Sequence, residues 1–208
     1  MVKEVKQVKY SDSFLSESAI FSGGVRGKMI PIIFAFFLIQ TENRVILVDV
    51  GCDTMPGFQM NGYLMPDEAL KKHGVLPEQV TDVIITHADH DHIDGLHHFK
   101  NAVVYIQEKE YERGKKYFTG NNKVITFEDE IMVDNCIKVV RFAGHGPGSS
   151  VVEFEFDSKS CVIVGDECYS KYNIINKVPT AATCNIDNSQ KFIDKYATGQ
   201  YKVFYMHE

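Results

Sequence analysis

A short apolar run that ends in a burst of ligand-type side chains constrains this chain most. Asp82-Val-Ile-Ile-Thr86 is apolar on both faces of an extended strand, and it leads directly into His87-Ala-Asp-His-Asp-His-Ile-Asp-Gly95. A strand with so little polar surface has to be covered on both sides, which favours a layered α/β fold over a half-exposed antiparallel sheet. In α/β proteins the C-terminal end of such a strand is where sites are built, because rigid backbone fixes the side chains of the following loop. Nothing about solubility demands three histidines and two aspartates between positions 87 and 92. His87, Asp89, Asp91 and His92 instead offer the imidazole and carboxylate donors that hold a metal ion.

Further extended runs are expected at 32–40, 45–50, 83–86, 103–107, 123–127, 137–142, 151–156, 161–164 and 202–206. The first two are separated by Thr41-Glu-Asn-Arg44, a polar connection of hairpin length. Strand alternation places Phe34 and Phe36 on one face and Phe37 on the other. Helices are expected at 66–72, with Pro66 in the first turn and Gly74 as the stop, at 108–117, and at 187–196, with a turn near Pro77. No repeat, low-complexity tract or linker divides the chain, so residues 1–208 are expected to form a single α/β domain.

Charge and cysteine usage narrow the partners. Lys plus Arg number 22 against 28 Asp plus Glu, a formal charge of -6, which gives nucleic acid and anionic membranes no evident attraction. The five cysteines contain no CxxC pair and are expected as reduced thiols in a cytoplasmic protein. The mixed-charge N-terminus does not resemble a secretory signal. The run 30–39 contains Pro31 and is far shorter than the roughly 20 residues of a membrane span. A small-molecule substrate is the expected partner.

Three later segments each place one ligand-type residue at the end of an apolar strand: Gly144-His-Gly-Pro-Gly-Ser-Ser150, Val162-Ile-Val-Gly-Asp166 and Val203-Phe-Tyr-Met-His207. Together with the 87–92 cluster they resemble the metallo-β-lactamase superfamily, whose pattern is HxHxDH, then a later His, an Asp and a final His. Leu47-Val-Asp-Val-Gly51 is similar to that family's early VDTG segment. The resemblance implies a metallo-β-lactamase-like αβ/βα sandwich, two mixed β-sheets flanked by helices, holding two divalent metal ions (zinc, manganese or iron). It implies His87, Asp89 and His145 on one ion, Asp91, His92 and His207 on the other, and Asp166 bridging them. Three positions depart from the pattern: Asp89 stands where His is usual, Gly146 where Thr or Ser is common, and Val50 within the VDTG segment. A carboxylate at 89 is a harder ligand and leans its metal toward iron or manganese. The added negative charge implies a less acidic bound water and activity rising into mildly alkaline pH.

Two ions roughly 3.5 to 4 Å apart can share a hydroxide nucleophile. Asp91 is then placed both to ligate and to pass a proton to the leaving oxygen. Tyr169, three residues after Asp166, resembles the N-acyl homoserine lactonase branch, in which the phenol polarises the substrate carbonyl. The expected activity is therefore a dinuclear hydrolase that opens an ester or lactone. The alternative is a flavodiiron-like di-iron protein that reduces or senses oxygen with an external electron donor, since that family also carries an acidic residue at the Asp89 position. The glutathione thioesterase branch is not expected, because it carries a helical region beyond its last His and this chain stops one residue after His207. No role is assigned to His73, His90, His97 or His98. His90 is expected in a solvent-facing loop, His97 and His98 beside a short helical turn, Cys52 and Cys168 in the interior, and Asp49 as a supporting or turn residue.

Overall fold

The computed structural model describes all 208 residues, and its strands fall into two sheets. The first contains β1 (Val2–Ser16), β2 (Met29–Thr41), β3 (Val45–Val48), β4 (Asp82–Ile85), β5 (Val103–Gln107) and β6 (Val124–Phe127) in that spatial order. Its β1 to β3 pairs are antiparallel and its β3 to β6 pairs parallel. The second runs β11-β10-β9-β8-β7, built from β7 (Glu130–Asp134), β8 (Ile137–Arg141), β9 (Ser150–Phe156), β10 (Lys159–Ile163) and β11 (Tyr201–Phe204). Only β10 and β11 are parallel there.

Strand alternation divides the interior. Leu47, Val83, Ile85, Val104 and Ile106 point to the outer face of the first sheet, against Leu70, Ile93, Leu96 and Phe99. Their neighbours Ile46, Val48, Ile84 and Tyr105 point inward, onto Ile137, Val139, Val152 and Ile163 of the second sheet. Val151, Val162 and Val164 meet a third layer, where Phe192, Ile193 and Tyr196 line one face of a helix. Phe34 and Phe36 join the outer cluster and Phe37 the inter-sheet cluster, as alternation requires. The result is the helix-sheet-sheet-helix sandwich expected of the resemblance.

The helices are short: α1 (Glu17–Ile20), α2 (Pro66–Lys71), α3 (His90–Ile93), α4 (Glu108–Gly114), α5 (Lys171–Asn176) and α6 (Ile186–Tyr196). Only α6 is long, and Asn185 caps it by accepting from the Asn188 amide. Burying Phe192 alone stabilises its docking by roughly 1.5 to 3 kcal/mol.

Several local expectations need correction. The N-terminal strand β1 and the strand β7 were not anticipated, and both are sheet edges. An edge strand can carry charge on its open side: β1 alternates buried Val2, Val8 and Tyr10 with exposed lysines, which hides it from an apolar-run criterion. The helix expected at 108–117 ends at Gly114, and a 3₁₀ turn covers Lys115–Tyr117. His90 is not in an open loop: it begins α3, half-buried, with Nδ1 2.9 Å from Tyr117 Oη and Nε2 2.7 Å from the Thr54 carbonyl. No helix is long and apolar enough to cross a membrane.

Candidate metal centre

The chain leaves strand β4 at Thr86-His87, strand β10 just before Asp166, and strand β11 just before His207, while His145 sits in the connection from β8 to β9. These points lie at one end of the sandwich, where the two sheets face each other. Gly165 has φ +53°, and a Cβ there would come within 2.9 Å of Thr86 Oγ1, so only glycine lets the β10 exit pass so close to β4.

Two half-sites meet at Asp166. Its Oδ2 lies 3.8 Å from His87 Nε2 and 3.9 Å from His145 Nε2. Its Oδ1 lies 3.2 Å from His92 Nε2 and 3.1 Å from His207 Nε2. Asp89 Oδ2 joins the first half, 3.1 Å from His145 Nε2 and 3.7 Å from His87 Nε2. Asp91 Oδ2 joins the second, 3.6 Å from His92 Nε2 and 3.9 Å from His207 Nε2. All seven residues singled out from the sequence as ligands are thus brought together.

Each imidazole is oriented from behind. His145 Nδ1 is 2.6 Å from the Ala182 carbonyl and His207 Nδ1 2.9 Å from the Ile33 carbonyl. A carbonyl only accepts, so both rings carry a proton on Nδ1 and direct Nε2 inward. His92 Nδ1 faces Asp49 Oδ2 at 2.7 Å. Thr86 Oγ1 donates to that same oxygen and can therefore accept from His87 Nδ1 at 2.9 Å. Asp49 thus backs two imidazoles through one carboxylate; it sits fully buried at φ 61°, a left-handed conformation that aspartate tolerates. Val50 departs from the family segment harmlessly: its backbone amide bonds the His92 carbonyl, and its side chain is core.

Four Nε2 atoms converging on three carboxylates call for positive charge between them. His87 Nε2 and His92 Nε2 are buried with no hydrogen-bond partner. Burial opposes charge on His92, yet Asp166, Asp91 and Asp49 push its pKa well up. Burial likewise opposes charge on His145, but Asp89 and Asp166 push it up to about 9. For Asp166 burial acts upward, and His92 and His207 outweigh it and hold the carboxyl well below its usual range. This field attracts protons or metal cations alike, and the donor set of imidazole nitrogens and carboxylate oxygens fits two divalent ions.

Tyr169 packs into the same end of the fold. Its ring stacks on His207 with centroids 5.1 Å apart and meets His145 edge-on at 6.4 Å. Burial, then the charges of Asp166 and Asp91, raise its phenol well above the ordinary value, so it keeps its proton. Tyr169 and His207 form the inner wall of a cavity of about 450 Å³, whose apolar lining includes Ile20, Phe21, Ile32 and Ile175.

The sequence reading missed a set of charged supports. Glu110 is fully buried and accepts from the Ala88 amide at 2.9 Å, the Gly148 amide at 2.8 Å and Arg113 Nη1. Arg113 Nη2 reaches on to Asp89 Oδ1 at 2.8 Å, leaving Oδ2 for the metal side. A Cβ at Gly146 would stand 2.9 Å from Glu110 Oε1 and 3.1 Å from Arg113 Nη1. Two of the three departures from the family pattern, Asp89 and Gly146, therefore meet at Arg113. The guanidinium also offsets part of the charge on which the expectation of a less acidic water rested. Glu167 Oε1 accepts from the amides of Gly144 and His145 and from Ser149 Oγ, which shapes the His145 turn. No sequence signal marks Glu110 or Arg113, since Glu108-Lys-Glu-Tyr-Glu-Arg-Gly-Lys-Lys116 reads as a solvated charged helix.

Comparison with known proteins agrees with this geometry. The family description "Metallo-beta-lactamase superfamily" matches residues 35–206. An N-acyl homoserine lactonase from Bacillus cereus is 26% identical over 204 residues, covering 86% of this chain and 82% of that protein. A solved N-acyl homoserine lactone hydrolase, with N-hexanoyl-L-homoserine at its catalytic metal centre, superposes with a TM-score of 0.85 at 21% identity, over 100% of this chain and 94% of its own. The dizinc quorum-quenching lactonase AidC superposes with a TM-score of 0.79 at 16% identity, over 100% and 88%. The family match spans most of the chain, and the chain belongs to the metallo-β-lactamase superfamily.

Proposed function

We propose that this protein is a dinuclear metal-dependent hydrolase that opens acyl lactones, with N-acyl homoserine lactones as the first substrates to test. The observation that carries the reading is the convergence of four inward Nε2 atoms on the two oxygens of Asp166. The full-length relatives being lactonases favours it over a di-iron oxygen chemistry. Two divalent ions bound by His87, Asp89, His145, Asp91, His92, His207 and Asp166 would supply Lewis acidity and an activated water. Zinc, manganese and iron all suit the donors; the carboxylate at 89 favours the harder ions.

The chain's own groups do the rest. Asp91 combines a metal-facing Oδ2 with slight solvent exposure, so it can take the proton released on attack and return it to the leaving oxygen. Tyr169 offers an O–H to the carbonyl oxygen as negative charge develops there. The cavity beside it presents apolar side chains, among them Ile20, Phe21, Ile32 and Ile175, that can receive a hydrocarbon substituent. Turnover of N-hexanoyl homoserine lactone, followed by proton release, tests the reading: the metal-loaded protein hydrolyses it, chelation abolishes turnover, and metal restores it. A two-ion protein that opens no lactone or ester would overturn the proposal. Tyr169→Phe is expected to lower kcat by about 10²-fold, the scale of one oxyanion donor, with metal content unchanged; an unchanged kcat would remove the phenol from the mechanism.

Arg113 is assigned the positioning of Asp89. Arg113→Gln is expected to weaken retention of the first ion by about 10- to 100-fold, the range seen when a group behind a ligand is lost. In an Asp89→His background the same substitution should have little further effect, because the imidazole no longer needs the guanidinium. Chelator competition on the four proteins of this cycle reads the coupling directly. Equal losses in both backgrounds would show that Arg113 acts only through fold stability.

A further inference from the structure

We propose that Asp53, His97 and His98 form a third cation site, outside the dinuclear centre, that takes zinc and fastens the loop over residues 52–65 to the segment after α3. None of these three residues belongs to the seven ligands at the sheet edge, and no role follows for them from the hydrolytic chemistry.

The three side chains converge. His98 Nε2 lies 2.7 Å from Asp53 Oδ1 and His97 Nε2 lies 3.1 Å from Asp53 Oδ2. One ligand atom from each falls within 4.8 Å of the others, so an ion at the usual 2.0 to 2.2 Å from each needs only small side-chain adjustments. The far side of the His97 ring repeats the logic of the main centre. His97 Nδ1 is 3.0 Å from the Asp94 carbonyl, which only accepts, so the proton belongs on Nδ1 and the Nε2 lone pair is directed at a carboxylate. His98 Nδ1 stands 4.0 Å from Asp67 Oδ1, a buried oxygen with no hydrogen-bond partner. At 4.0 Å that contact is a charge contact and not a hydrogen bond, so of the two rings only His97 is oriented from behind. Two imidazoles and one carboxylate, with solvent as the fourth ligand, match the preferences of zinc.

The site joins two pieces of chain. Asp53 opens the loop, whereas His97 and His98 end the 3₁₀ turn Asp94–His98 that follows α3, the helix bearing Asp91 and His92. Polar ties across this seam are the Asp53 amide to Asp94 Oδ2 and His90 Nε2 to the Thr54 carbonyl, while Tyr63 Oη donates to the Asp53 carbonyl within the loop itself. Farther along the loop, Phe58 meets Phe34 edge-on, and Phe34 meets His207 edge-on. Zinc at Asp53 would therefore steady a loop that lies one ring away from a residue of the main centre.

The test is an ion count on the metal-loaded protein titrated with zinc chloride alone, read by native mass spectrometry, beside His97→Gln and Asp53→Asn. His97 is substantially exposed, so its replacement leaves the fold intact. Wild type is expected to hold one zinc per chain more than either variant. Hydrogen exchange of residues 52–65 is expected to slow about tenfold on zinc addition in wild type only. An equal ion count in wild type and His97→Gln overturns the site, whether that count is two or three. Because the readout is a difference between proteins, it stands apart from whether the chain hydrolyses lactones.

Discussion

Asp166→Asn is expected to reduce the ion content from two per chain to one or none and to lower kcat/KM by about 10³-fold, equivalent to roughly 4 kcal/mol of transition-state stabilisation. The reason lies in the two faces of the carboxylate. Oδ1 serves His92 and His207, and Oδ2 serves His87 and His145. An amide keeps one acceptor and turns an NH2 donor toward the other half-site, which repels a cation there. It also removes the anionic centre whose charge pulls the His92 and His207 imidazoles upward in pKa. Elemental analysis and steady-state kinetics on the same preparation decide the matter. Two ions with near-normal turnover in Asp166→Asn would show that the carboxylate is not the bridge.

The second large effect concerns stability. Glu110→Ala is expected to cost about 2 to 6 kcal/mol, because it leaves two buried backbone amides without an acceptor at about 1 to 3 kcal/mol each. The Ala88 and Gly148 amides would lose their acceptor, and Arg113 would keep only Asp89. For a chain of this length each kcal/mol moves Tm by about 2 to 4 °C, so a fall of about 10 °C is expected in thermal unfolding. Glu110→Gln, which retains an acceptor oxygen, should fall less. A change below about 2 °C in Glu110→Ala would mean that the two loops are held by their other contacts.

The His/Asp cluster was legible in the sequence because its chemistry is concentrated and its spacing is tied to strand ends. His87, Asp89, Asp91 and His92 follow one buried strand, and His145, Asp166 and His207 each follow another apolar run. The strands that had to be apolar on both faces were legible for the same reason, and the assignment of Phe34, Phe36 and Phe37 to opposite faces followed from period-two geometry. The edge strands β1 and β7 were not, since burial on only part of their surface leaves room for Lys, Glu and Asp. Short helices such as α1 and α3 were missed because four residues cannot display a helical period.

The amino-acid order by itself determined the layered class, the His and Asp side chains that converge at the sheet ends, and the family. It did so because ligand types and burial patterns are local properties of a segment. Only the tertiary structure decided that Arg113 reaches Asp89 across 24 residues, that Glu110 is buried beneath the His145 loop, and that Asp53 meets His97 and His98 across more than 40. Those pairings depend on how α4 and the 52–65 loop pack against the sheet edge. A charged side chain carries no mark in its own segment of whether such packing will leave it in water or enclose it with a partner.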